Sequence, residues 1–89
     1  MATVFVPSLM QSLTKGQAKV SVPGSTVREI IRNLEKEYPG MEQRLVEGGR
    51  IRPSVSVAVD GEVTPLGLLE KVGETSEVHF LPAIGGGLG

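Results

Sequence analysis

The groups in this chain with any capacity for chemistry are one histidine, a scatter of carboxylates and serines, and the run Gly85-Gly86-Gly87-Leu88-Gly89. His79 stands between Val78 and Phe80 in a strand-like pattern, and no cysteine or second histidine exists to complete a metal site, so a structural or merely exposed role is expected. Glu35, Glu37, Glu42 and Glu47 are interleaved with Lys36 and Arg44, which reads as a solvated face. A Ser-His-Asp set drawn from Ser76, His79 and Asp60 has no nucleophile elbow behind it. The glycine run is not a phosphate loop, because no Lys-Ser/Thr follows it. Nothing here supports independent catalysis, and the chain is not expected to be an enzyme or to bind a cofactor or metal.

The glycine run offers chemistry of another kind. A carboxylate is a poor electrophile and must be activated, as an acyl-adenylate formed with ATP, before sulfur or an amine can attack it. An activating enzyme has to reach a backbone terminus, and a segment with few side chains can thread a narrow channel. Residues 83–89 could extend about 23–25 Å, at roughly 3.3–3.6 Å each. The competing reading is a frayed end without function.

The rest of the chain must position that segment. With 89 residues there is room for one domain and one core. Hydrophobic residues make up 39% and charged residues 21%, an ordinary globular balance. Phe5, Tyr38 and Phe80 are the whole aromatic set, so the core is expected to be aliphatic. A net charge of -1 with interleaved signs gives no footprint for nucleic acid. No apolar run is long enough to span a bilayer, there is no secretion signal, and a cytoplasmic location is expected.

Residues 2–6 are β-rich and end at Pro7; residues 8–16 read as a loop anchored by Leu9, Met10 and Leu13. Ala18, Val20 and Val22 alternate with polar residues, as a half-buried strand requires. Thr26-Val27-Arg28-Glu29 has the form of a capping box, in which the threonine hydroxyl accepts from the Glu29 N–H and the glutamate reaches back. Val27, Ile30, Ile31 and Leu34 then form one apolar stripe, which Tyr38 extends until Pro39-Gly40 stops the helix. Residues 41–47 predict a short further turn of helix. Val55, Val57 and Val59 form a strand, Asp60-Gly61 a two-residue hairpin turn, and residues 62–64 a brief return strand. Residues 65–72 predict a connector with a helical turn, and residues 77–81 a last strand. Two strands, a helix, two strands, a connector and a final strand point to an α+β, β-grasp arrangement: a mixed sheet of four to five strands packed on one main helix. The expected organisation is a domain over residues 1–82 and a flexible tail over residues 83–89. A first strand lying beside the last would send that tail out from one end of the sheet.

Leu81-Pro82-Ala83-Ile84-Gly85-Gly86-Gly87 resembles the end of bacterial MoaD/ThiS-type sulfur carriers, which are ubiquitin-like and finish in a Pro-Ala-aliphatic stretch and a diglycine. Glu37-Tyr38-Pro39-Gly40 followed by Arg44-Leu45 resembles the post-helix segment of the longer carriers, and Val59-Asp60-Gly61-Glu62 resembles their hairpin. Within the family, the likeness is to the actinobacterial variant that feeds sulfide to cysteine synthesis. The resemblance implies that a terminal glycine is adenylated by an E1-like enzyme using ATP, converted to a thiocarboxylate, and used to donate sulfur on a partner enzyme, cysteine-synthase-like by preference. Members active as written end at the diglycine, whereas this chain continues with Leu88-Gly89. Alignment on Pro82-Ala83-Ile84 makes Gly86-Gly87 the working end, with Leu81, Pro82, Ala83, Ile84 and Gly85 as the segment inserted into partners. Leu88-Gly89 would then be a cap removed by a JAMM-type zinc peptidase. The alternatives are activation at Gly89, a protein modifier conjugated through the same glycine, the small subunit of molybdopterin synthase, and a binding module with an idle tail.

Overall fold

The computed structural model describes residues 1–83; residues 84–89, most of the expected tail, lie outside the described residues. The strands are β1 (Ala2–Phe5), β2 (Lys19–Val22), β3 (Val46–Glu47), β4 (Arg50–Ile51), β5 (Val55–Val59), β6 (Glu62–Val63) and β7 (Glu77–Pro82). The helices are α1 (Val27–Glu37) and α2 (Met41–Leu45), with a 3-10 helix at Ser8–Thr14 and a single 3-10 turn at Gly67–Leu69. Five strands form the main sheet in the order β2-β1-β7-β5-β6, and β3 and β4 form a separate small hairpin. β1 runs antiparallel to β2 and parallel to β7, so the first and last strands lie side by side at the centre. This is the expected β-grasp sheet, with five strands.

Period-2 alternation sets its inner face. Val4, Val22, Val57, Val78 and Phe80 turn inward and meet Val27, Ile30, Ile31 and Leu34 of α1, all of them buried. Each such aliphatic side chain, fully buried, contributes roughly 1.5–3 kcal/mol. Met41 and Leu45 of α2 and Leu68 of the 3-10 turn close the ends of this core.

Thr26 caps α1 as its spacing requires, its Oγ1 accepting from the Glu29 N–H at 3.2 Å. The glutamate reaches one residue further back than a capping box implies: its Oε1 accepts from the Ser25 N–H (2.8 Å) and the Ser25 hydroxyl (2.9 Å). Thr26 is held extended by a bridge to Lys71, which leaves the Ser25 donors facing the carboxylate. Those bonds, the backbone one foremost, hold the Glu29 carboxyl below the usual glutamate range.

Other segments differ from the sequence reading. Residues 8–14 form a 3-10 helix rather than a loop; Met10 and Leu13 pack on the core, but Leu9 is exposed. Thr14 is fully buried there, its hydroxyl within hydrogen-bond distance of the Gln11 (3.2 Å) and Gln17 (2.8 Å) carbonyls. Glu35 does not belong to a solvated face. Its half-buried carboxylate accepts from the N–H groups of Gly40 (3.0 Å) and Glu42 (2.8 Å), satisfying the orphan donors where α2 begins. The β3–β4 hairpin was not anticipated, since two-residue strands carry no readable alternation.

Candidate functional site

The expected site hangs from β7, so its position follows from how that strand is held. β5 accompanies β7 along its length, from Val59↔Val78 to Val55↔Pro82. β1 accompanies only the first half, ending at Phe5↔His79. Among the described residues, one flank of β7 has no strand partner from Phe80 onward, and the last backbone bond is the Ala83 N–H to the Ser54 carbonyl, at 2.9 Å. Of the expected site residues, Leu81 and Pro82 are exposed and Ala83 is half-buried at this end of the sheet. Ile84, Gly85, Gly86, Gly87, Leu88 and Gly89 lie outside the described residues.

Beside the exit lies the sheet face that turns away from α1. In register across it run Lys19, Phe5, His79 and Ala58. The Phe5 and His79 rings stack with centroids 4.0 Å apart and planes 6° from parallel, and the Lys19 Nζ stands 5.7 Å from the Phe5 centroid. Leu81, one outward position beyond His79, completes an apolar strip that leads to the exit. His79 is one half of a half-buried aromatic pair on this outer face. The alternation within β1 and β7 is the signal that puts Phe5 and His79 on the outer face. Their meeting depends on the parallel register, which no local pattern encodes.

The opposite end of β7 is pinned. Asp60, in the left-handed region at φ 52, accepts from the Glu77 N–H through Oδ1 (2.9 Å) and from the Ser76 hydroxyl through Oδ2 (2.8 Å). Gly61 at φ 88 completes the predicted turn. The Glu77 N–H first, and the Ser76 hydroxyl second, hold the Asp60 carboxyl below the usual aspartate range. Ser76 and Asp60 therefore meet, but the Ser76 oxygen also accepts from the Gly73 N–H (2.8 Å), and His79 is engaged with Phe5. The arrangement is a structural staple. Among the described residues no cluster of three or more His, Cys, Asp or Glu could hold a metal, and no helix is long and apolar enough to cross a membrane.

A small mixed sheet with a glycine-bearing strand end has known counterparts. The ThiS family model matches residues 5–87. The sulfur carrier protein CysO of Mycobacterium tuberculosis is 32% identical over 90 residues, covering 96% of this chain and 97% of that one. The small archaeal modifier protein 3 of Haloferax volcanii is 37% identical over 65 residues, 71% of each chain. Among solved structures, a chain of the Amycolatopsis orientalis BexX/CysO complex superposes with a TM-score of 0.90 at 30% identity, covering 94% of this chain and 97% of that one. M. tuberculosis CysO superposes with a TM-score of 0.89 at 30% identity, covering 94% and 100%.

Proposed function

The chain belongs to the ThiS family, and from that premise we propose that it carries sulfur as a C-terminal thiocarboxylate rather than acting as an enzyme itself. The observation that carries this reading is the extent of the family match, which runs through Gly86-Gly87 and stops short of Leu88-Gly89. The near full-length likeness to CysO, named a sulfur carrier protein, supports it.

In this reading a zinc peptidase of the JAMM type first removes Leu88-Gly89. A Gly87 carboxylate oxygen then attacks the α-phosphorus of ATP on an E1-like enzyme, and pyrophosphate leaves. Hydrosulfide, delivered by a sulfur donor, attacks the acyl carbon of the adenylate; AMP leaves and a proton is released, giving the thiocarboxylate. Its sulfur attacks a carbon of an acceptor held by a biosynthetic enzyme, cysteine-synthase-like by preference. A carbon–sulfur bond forms as that carbon's leaving group departs with its bonding electrons, and the acyl group is left joined to the acceptor as a thioester. Water finally cleaves the acyl bond and returns the glycine carboxylate. The body's part is positional: the one-sided support of residues 80–83 releases the chain at a sheet end, and the Phe5–His79–Leu81 strip gives a partner a surface beside it. The complex of BexX with CysO shows that such a carrier takes a protein partner in that system.

A second reading has its own support. The likeness to a small archaeal modifier protein favours conjugation of the same activated glycine to lysines. Reconstitution separates the two. The chain ending at Gly87, given ATP, a sulfide donor and the E1-like enzyme of its own organism, should gain one sulfur in place of one oxygen, while the full-length chain should not. Isopeptide-linked products without any thiocarboxylate would move the assignment to the modifier, and loading of the full-length chain would remove the trimming step.

A further inference from the structure

Two grooves on the flank of the molecule share one wall. Pro65 and Leu66 stand between a groove of about 360 Å³, lined also by Arg28, Arg50, Ile51 and Leu69, and one of about 490 Å³, lined also by Asp60, Glu62, Val63, Glu70 and Lys71. The first holds two arginines and no acid. In the second, three carboxylates against one lysine leave an excess of two negative charges. The ion pairs among the described residues are Met1–Glu74 and Arg52–Glu47, so Arg28 and Arg50 enter none. Asp60 and Glu70 are hydrogen-bonded, to Ser76, the Glu77 N–H and Thr64, but neither enters an ion pair among the described residues.

The wall and its margins are apolar and open: Val63 is 64% exposed, Leu66 56% and Leu69 69%. Three large aliphatic side chains that close together stand out in a domain whose other aliphatics are mostly covered. An acidic partner would satisfy one groove and be repelled by the other, and a basic partner would do the reverse. The fitting partner carries both signs, in reversed order, on either side of an apolar ridge. A second copy of this chain has that pattern.

We propose that this shoulder is a self-association surface, with a two-fold axis passing by the Leu66 wall. A two-fold rotation there exchanges the grooves: the Arg28–Arg50 groove of each copy meets the Asp60–Glu62–Glu70 groove of the other, and the leucines meet between them. Such an isologous contact uses one patch twice. The patch is small, so the pair is weak, and its charges set specificity more than strength. Asp60 lies at the opposite end of β5 from the Ser54–Ala83 exit, and the Phe5–His79 strip is on another face, so a paired molecule keeps its exit open.

Charge exchange tests this with the full chain alone. Between about 20 µM and about 1 mM the sedimentation-average mass should climb toward that of a dimer, less so as salt is raised. Arg28→Glu/Arg50→Glu and Glu62→Lys/Glu70→Lys should each weaken self-association by about tenfold or more. An equimolar mixture of the two variants should restore it, because every contact then joins opposite signs again. Each variant is checked by its thermal melt, and Glu62→Lys alone replaces the second pair if Glu70→Lys impairs folding. A chain monomeric at about 1 mM, association indifferent to both reversals, or folded variants that fail to associate when mixed would each overturn the proposal.

Discussion

The two ends of β7 are built on opposite principles. At Val78 the strand lies between β1 and β5, and the Asp60 carboxylate clamps Ser76 and Glu77 just before it with two hydrogen bonds. At Pro82 one neighbouring strand remains among the described residues, Leu81 and Pro82 are exposed, and the Ala83 N–H bond to Ser54 is the last backbone bond described. Between them Val78 and Phe80 are buried in the core. One strand is thus both an anchor and a launching point, and it changes from one to the other where β1 ends. Under the proposed function, that difference is what would let a small domain offer its terminus to a partner without loosening its core.

The largest effect should come from the middle of the strand. Phe80→Ala removes a buried aromatic and should cost about 3–5 kcal/mol by urea unfolding. Little loss would mean that β7 is not anchored by the core. Asp60→Asn should have a smaller effect with a distinctive pH dependence. Because the folded-state pKa of Asp60 is lowered, its contribution is complete above the unfolded pKa and is lost as pH falls through the folded one. The variant should be less stable at neutral pH and should lack that share of the acid-induced loss, as thermal melts across the acid range would reveal.

At the other end the changes should be slight. Ala83→Pro deletes the bond to Ser54 and should cost at most about 1 kcal/mol. Leu81→Ala should stay within about 0.5 kcal/mol, yet reduce binding to a partner that uses the outer strip, as titration calorimetry would measure. Smallest of all for stability is Gly87→Ala, which should leave the urea midpoint unchanged while abolishing loading by the E1-like enzyme. A destabilised Gly87→Ala would show that the end of the chain packs on the body, and the contrast between the two ends would fail.

Much of the anchored region was legible from residue order. The stripe Val27-Ile30-Ile31-Leu34, the alternation of Val55-Val57-Val59 and the Asp60-Gly61 turn depend on neighbours in sequence, and each stands where it was expected. What escaped was set by neighbours in space. Glu35 looks like a surface carboxylate until α2 turns its first N–H groups toward it. The β3–β4 hairpin has two residues a side, too few for any periodicity. The Phe5–His79 pair exists because two strands from the ends of the chain run parallel in one register. The expected reactive segment stands apart: its proposed chemistry belongs to a backbone carboxylate, so it was expected from residue types alone, and residues 84–89 lie outside the described residues.

The most direct test of that chemistry is the intact mass of the protein isolated from its own cells, with and without sulfur limitation. A sulfur carrier should yield a species that lacks Leu88-Gly89 and carries one sulfur in place of one terminal oxygen. A chain that is full-length and unmodified under every condition would contradict the assignment.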